Sequence, residues 1–441
     1  PAHPCLPFGL VLNLATPMRR LTLAFCGCGS RARTYAGIAA EMPDRFALVA
    51  GADPVEGRVE FIRGKSDRPA DFQGFASAEA MFAAGKPADV VIIGTQDAQH
   101  RDHAIRAMEL GCDLLLEKPI ANRLEDVLAV QAAARRLGRR VVVCHVLRYT
   151  PFYAQVESLL RSGVVGEIVT ANFIEGVQPW HQAHSFVRGH WANESKSSPM
   201  ILAKSCHDMD LLAWLINRPC LAVSSHGALT QFTAAHAPAG APARCTDGCP
   251  VASQCPYDAH RYAQPGGRRW LGMVYDRAKE ATDEEIFTWL RTSPWGRCAF
   301  RCDNDVVDHQ VLALKFTGEV TATFTMTAFD DGRQLEIFGT KGVLRGGAFV
   351  KKHLGCDLVF TPHGWNQTAE KITVETPTGG YAGHGGGDAG LMATLHAELT
   401  GADASALRTS LEVSIQSHRM AFAAETSRKE GRTVVIETSA G

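Results

Sequence analysis

From residue 21 onward the chain repeats one unit: an unbroken apolar run, a turn, then a stretch whose apolar positions recur every three or four residues. The apolar runs are 21–27 (LTLAFCG), 46–54 (FALVAGADP), 88–95 (ADVVIIGT), 113–119 (DLLLEKP) and 139–146 (RRVVVCHV). Helical spacing falls over 31–42, 100–111 and 124–138. Continuous apolar strands alternating with helices predict a parallel sheet covered on both faces. After residue 147 the pattern changes. The segments GEIVTANFIEG, PCLAVSSHGAL, DHQVLALKFTGEVTATFTMTAF, RQLEIFGTKGVLRGG and KITVET alternate or are β-branched, and turns edge them. They predict a second, mostly antiparallel sheet. The chain therefore reads as an α/β domain over 18–147 and an α+β domain over 148–441. Within the latter, 231–303 reads as an insertion, and 389–425 as C-terminal helices placed to pack back on the first domain.

A length of 441 residues exceeds one ordinary core and agrees with two domains. Apolar residues make up 46% and charged residues 21%, a globular composition. The net charge is −1 with no long basic or acidic block, which argues against nucleic acid or a membrane surface as partner. No apolar run reaches the roughly 18–20 residues that span a bilayer. Residues 1–17 lack the basic start and cleavage pattern of a secretory signal. Met18 is a candidate natural start. Arg19-Arg20 leads straight into the first strand, which favours a cytoplasmic protein over a twin-arginine signal. In that compartment 13 cysteines point to metal binding, structure or catalysis before disulfides.

The turn after the first strand reads Gly27-Cys28-Gly29-Ser30-Arg31-Ala32, a G-x-G-x-x-A pattern. Glycine lets the backbone turn tightly and lets a pyrophosphate approach the following helix N-terminus. An acid, Asp53, ends the second strand, which completes the context of a Rossmann dinucleotide-binding fingerprint. Asp53 suits the adenosine ribose hydroxyls and would repel a 2′-phosphate, so NAD is favoured. Ser30, Arg31, Arg33 and Arg58 keep NADP open. Ligands of such sheets bind at the carboxyl ends of the strands. There lie Gly94-Thr95-Gln96 with His100 beyond, Glu117-Lys118-Pro119, and 145–149 with Arg148 and Tyr149. Lys118–Pro119 is a candidate cis peptide. Lys118 is placed to polarise a substrate oxygen; the alternative is a solvated strand-end lysine.

The ordered set GCGSRA, ADP, GTQDAQH, EKPIA and the later HDMD resembles the Gfo/Idh/MocA oxidoreductases, from Met18 to the end of the chain. The resemblance implies a Rossmann domain followed by a domain with a large, mostly antiparallel open sheet. It implies hydride transfer between NAD(P) and a sugar carbon. Lys118 matches the family's catalytic lysine, Glu117 its ribose-contacting acid, and His207 its proton-shuttling histidine. The aspartate usually four positions before that histidine falls on Ala203, with Lys204 beside it. This departure puts the proton path in doubt and brings Lys204 into the expected site. Independently, histidine suits proton transfer near neutral pH.

Trp180, His181 and Trp191 lie before His207 and suit sugar recognition, or pack a loop. The glycine loop 380–388 places His384 over the substrate as a lid, or only opens a helix. Cys245, Cys249 and Cys255, with Cys298 or Cys302 as a fourth, allow a structural zinc or an iron–sulfur cluster. Reduced cysteines or a disulfide are the alternatives. A similar cysteine pattern marks a subgroup of the family and favours Cys298 as the fourth ligand. The open sheet favours a homodimer or homotetramer. The expected function is an NAD(P)-dependent dehydrogenase or reductase of a sugar, sugar derivative or polyol. A glycoside hydrolase acting by transient oxidation and a non-catalytic sugar or cofactor sensor are the rivals.

Overall fold

The computed structural model describes residues 19–376, 383–401 and 408–437. Met18, the segment before it and residues 380–382 of the glycine loop lie outside these. The first sheet has six parallel strands: β1 (Leu21–Cys26), β2 (Phe46–Ala52), β3 (Gln73–Phe75), β4 (Val90–Ile93), β5 (Asp113–Leu116) and β6 (Val141–Val143). Their order is β3-β2-β1-β4-β5-β6, the dinucleotide-binding arrangement whose crevice opens between β1 and β4. β4 (VVII) is buried at every position because helices cover both faces. The helix Leu124–Leu137 shows why the sequence was readable: Glu125 and Asp126 open it, Arg135 and Arg136 close it, and Gly138 terminates it at φ 61°. β3 and two short helices, Glu56–Arg63 and Ala78–Ala83, fall where the hydrophobic pattern was too brief to read.

The second sheet has nine strands: β7 (Ile168–Val177), β8 (Cys220–Ala228), β9 (His309–Phe316), β10 (Thr321–Thr327), β11 (Asp331–Gly339), β12 (Gly342–Gly347), β13 (Leu358–Pro362), β14 (Glu370–Ile372) and β15 (Val434–Val435). Their order is β14-β13-β12-β11-β7-β10-β9-β8-β15, antiparallel except for the β7–β10 pair. Helices Cys206–Ile216 and Leu411–Glu430 pack on its inner face. On the outer face β9 and β10 present Lys315, Thr321 and Thr323 to solvent, the alternation of a sheet covered on one side. The segment between β8 and β9 forms an arm that carries helices Pro265–Leu271 and Asp283–Thr292. Backbone contacts, not cysteines, close its root: Arg244 bridges Arg297, and Cys298 N–H donates to Ala243 O.

The C-terminal helices do return to the first sheet. Leu391, Met392, Leu395 and Leu399 are buried in its core with Phe25 and Tyr35. Leu411 and Ile415 enter the core on its opposite face. Each such side chain contributes about 1.5–3 kcal/mol when fully buried, so apolar packing holds the two sheets together.

Arg148 and Tyr149, expected in the substrate pocket, belong to this seam instead. Arg148 is 2% exposed and grips Asp210 with two bonds of 2.7 and 2.6 Å. Tyr149 Oη donates to Glu398 and meets Thr409 Oγ1 at 3.0 Å. Both side chains are turned inward because the short turn Val146–Tyr149 after β6 tucks under the C-terminal helices. Removing one partner of a buried ion pair strands the other charge. Arg148→Ala should therefore lower unfolding stability by about 3–5 kcal/mol in denaturant titration. A loss below about 1 kcal/mol, the value of an exposed pair, would contradict this placement.

Candidate active site

The glycine turn is built to take a pyrophosphate. Gly27 has φ 84°, and a Cβ there would stand 2.8 Å from the Gly94 carbonyl carbon, so two turns meet where only glycine fits. Gly29 faces open space, and no side chain caps the helix Ser30–Ala40 that it opens. That helix has no acid in its first turn. Uncapped N–H groups and the positive end of the helix fit a bound anion. The residues present therefore fit a dinucleotide. Asp53 also serves the turn itself. Its carboxylate accepts from Cys28 N–H and Val55 N–H, both at 2.9 Å, and is 7% exposed. It braces the glycine turn from below.

The strand ends converge as expected, but several side chains there serve the scaffold. Arg31 does not face the phosphate position. It bonds Glu117 at 2.8 Å and Asp388 at 2.6 Å, and donates to Tyr35 Oη. Glu117 also accepts from Tyr35 Oη and from Lys118 N–H, so Arg31 and Tyr35 hold it in place. Burial pushes the Glu117 carboxyl up, and Arg31 and Lys118 more than reverse this, leaving it below its ordinary value. His100 is buried and spans two carbonyls, Pro119 O at 2.7 Å and Thr95 O at 3.1 Å, so it pins the β4 and β5 ends together. Thr95 Oγ1 meets His103 Nδ1, and Gln96 is exposed at the mouth. The Lys118–Pro119 bond is cis.

Lys118 crosses the seam. Its Nζ donates to Ala203 O at 2.7 Å, at the position where a carboxylate was missing from the sequence pattern. Lys204, expected in the site, pairs with Glu175 Oε1 at 2.9 Å. Arg333 bridges Glu175 at 2.9 Å and Asp208 at 2.7 Å. Glu175 is the one charged residue of β7, a signal the sequence offered, whereas Arg333 lies on β11 beside Asp331, Gln334 and Glu336 and does not stand out there. Burial raises both carboxyls; at Glu175 the neighbouring Arg333 and Lys204 reverse the effect, while Asp208 stays raised.

His207 is 7% exposed, and its Nδ1 has no hydrogen-bond partner among the described residues. Burial, then the cations Lys118 and Arg333 with His145 and His384, hold it well below its ordinary value. It therefore stands neutral at pH 7, the form that accepts a proton. His145 packs edge-on against it at 5.9 Å and is pushed down to about 4 by burial. His384 lies 6.3 Å from His207, centroid to centroid, and its Nδ1 meets Asp388 at 3.0 Å. The loop thus brings His384 to the site.

The aromatic residues divide. Trp191 Nε1 donates to Asp97 at 3.3 Å, a tie to the first sheet. Trp180 packs on Tyr262 of the arm at 5.0 Å. Between them the chain forms a π-helical turn, Gln182–Val187, whose His184 meets Tyr262 Oη at 2.7 Å. His181, pushed down by burial and by Lys204, packs on Trp270 of the arm. The expected metal ligands behave otherwise. Cys245, Cys249, Cys255 and Cys298 line one small cavity, yet among the described residues no three His, Cys, Asp or Glu side chains stand in metal-binding arrangement. Cys302 Sγ donates to Cys298 O. All the described cysteines are free thiols, and those of the arm root pack with Phe232, Tyr257 and Phe300.

Two family profiles match the chain: an oxidoreductase family NAD-binding Rossmann fold over residues 21–145, and the same family's C-terminal alpha/beta domain over 157–436. The chain belongs to the Gfo/Idh/MocA oxidoreductase family. Membership assigns it NAD(P)-dependent oxidoreductase chemistry with NAD(H) binding. YteT of Bacillus subtilis (strain 168), described as an oxidoreductase, is 26% identical over 397 residues, 85% of this chain and 88% of that protein. The scyllo-inositol 2-dehydrogenase (NAD(+)) of the same organism is 26% identical over 187 residues, 41% of this chain and 49% of that protein. The fold is shared with levoglucosan dehydrogenase in complex with NADH and levoglucosan (TM-score 0.68, 15% identity, 95% of this chain and 100% of that chain). It is also shared with the WlbA dehydrogenase of Bordetella pertussis in complex with NADH and UDP-GlcNAcA (TM-score 0.64, 17% identity, 96% and 100%). Among the described residues no helix is long and apolar enough to cross a membrane.

For this Gfo/Idh/MocA chain the neutral His207 has a kinetic signature. The acid limb of kcat/KM reports the base of the free enzyme. In alcohol oxidation it should fall below pH 6.5, the ordinary histidine value from which His207 is lowered. A limb at or above 6.5 would show that His207 is not the group losing function.

Proposed function

We propose that the chain is an NAD(H)-dependent oxidoreductase that interconverts a hydroxyl and a carbonyl carbon of a sugar, sugar derivative or polyol. The observation that carries the reading is that Lys118, from the end of β5, reaches Ala203 O, four residues before the buried His207 on which its charge acts, in a chain whose dinucleotide turn is uncapped. Bound in that turn, the nicotinamide cofactor would give or take hydride. The pocket's own groups do the rest. The neutral His207 imidazole accepts the hydroxyl proton. The Lys118 ammonium donates to the same oxygen and stabilises charge developing there, at the expense of its bond to Ala203 O. Lys204, held by the buried Glu175, adds a donor for a hydroxyl of the substrate. Relatives named for inositol, levoglucosan and a nucleotide sugar support this substrate class.

The test is turnover of NAD+ to NADH with a panel of sugars, uronates and cyclitols. Lys118→Ala should lower kcat/KM by on the order of 10²–10⁴ with retained cofactor binding. Retention of most activity would refute the assignment of Lys118. Cleavage of nitrophenyl glycosides without net NADH would replace the dehydrogenase reading by the hydrolase.

A further inference from the structure

The arm between β8 and β9 runs from the loop 180–187 to the end of β2 in the first sheet. At its near end Tyr262 and Trp270 pack on His184 and His181. At its far end Asp276 reaches the first sheet. There Arg33, on the helix Ser30–Ala40, and Arg58, on the helix Glu56–Arg63, flank the end of β2. In this fold that strand end faces the adenosine ribose, and an arginine there accommodates a 2′-phosphate. Arg58 Nη1 lies 4.0 Å from Asp53. Each arginine takes one oxygen of Asp276: Arg33 Nη1 to Oδ1 at 2.9 Å, and Arg58 Nε to Oδ2 at 3.1 Å.

Two guanidinium groups sharing one anion, beside the ribose position, have the layout of a phosphate clamp. The anion here is the chain's own carboxylate. We infer that Asp276 is a specificity-determining residue: by occupying Arg33 and Arg58 it denies them to a 2′-phosphate and selects NAD(H) over NADP(H). An incoming 2′-phosphate carries about −1.5 to −2 charges, so it meets a like charge where it needs two free cations. The ribose 2′-hydroxyl of NAD carries no such charge and leaves the ion pairs in place. The arginines seen in the sequence as open to NADP are present, and a residue more than 200 positions away closes them.

The inference rests on the cofactor reading, and direct binding titrations of the purified wild-type chain with NAD+ and NADP+ separate the two. The wild type should bind NAD+ more tightly. Asp276→Asn keeps the shape and removes the charge. It should tighten NADP+ binding by about tenfold, the scale of one like-charge contact near a surface, with NAD+ changed by less than about threefold. Asp276→Glu should keep the wild-type preference. Adding Arg33→Ala and Arg58→Ala to Asp276→Asn should abolish the gain. Unchanged NADP+ affinity in Asp276→Asn, or an equal change for both cofactors, overturns the inference, the latter showing that Asp276 only braces the arm. A wild type that prefers NADP+ overturns it too. A wild type that binds neither overturns the cofactor reading itself.

Discussion

One half-buried guanidinium, that of Arg31, ties the two halves of the chain together by pairing with a carboxylate from each. Glu117 comes from the end of β5, and Asp388 from the start of the helix Gly387–Thr400. Much of the site's geometry follows from that tie. It fixes Glu117, whose other oxygen holds the Lys118 backbone, and so sets where the lysine leaves its strand. It fixes Asp388, whose Oδ2 also meets His384, and so brings that ring over His207. The pull of Arg31 and His384 outweighs burial and holds the Asp388 carboxyl down at about 2. The Asp388 carboxylate therefore stays ionised at neutral pH, and the tie to Arg31 with it.

The proton path departs from the family pattern at one side chain, and the structure shows what stands there. Ala203 supplies a backbone carbonyl to Lys118 where a carboxylate would supply a charge. A carbonyl orients the ammonium without neutralising it, so more of its positive charge acts on His207 and on any oxygen between them. That agrees with Lys118 standing first after burial among the influences lowering His207. The carboxylates are displaced one layer out, to Glu175 and Asp208, where Lys204 and Arg333 absorb them. The result is a histidine kept neutral by burial and by neighbouring cations, with no carboxylate among the influences on it.

What the sequence made legible was whatever is local. The glycine turn, the strand-ending Glu117-Lys118-Pro119 and the capped helices each announce themselves within a few residues. Function assigned from strand ends alone was less secure, because burial and long-range partners are not visible in one dimension. Arg148 looked like a pocket residue until Asp210, 62 positions later, took both arms of its guanidinium. Arg31 lay in the phosphate turn by sequence, yet its partner Asp388 is 357 positions away. His100 faced the crevice by pattern but spends both ring nitrogens on carbonyls. The cysteines came together in space, though their side chains pack with aromatic rings and not around a metal-binding centre.

The arm joins both ends of the crevice, and its two ends are held by different physics. At the root Arg188 is 1% exposed and has no carboxylate near it. It donates to Arg297 O at 2.7 Å and Tyr257 O at 2.6 Å, and sits against Cys245 Sγ. Two backbone carbonyls hold this buried charge while its Nη1 has no partner among the described residues, and losing them would strand it further, which fixes the root. At the tip Asp276 is 37% exposed, and its ion pairs are open to water. Such pairs are worth about 0–1 kcal/mol each and exchange readily. A fixed root and an exchangeable tip let the arm hold the loop 180–187 in place while its far carboxylate tests the charge of what enters beside β2.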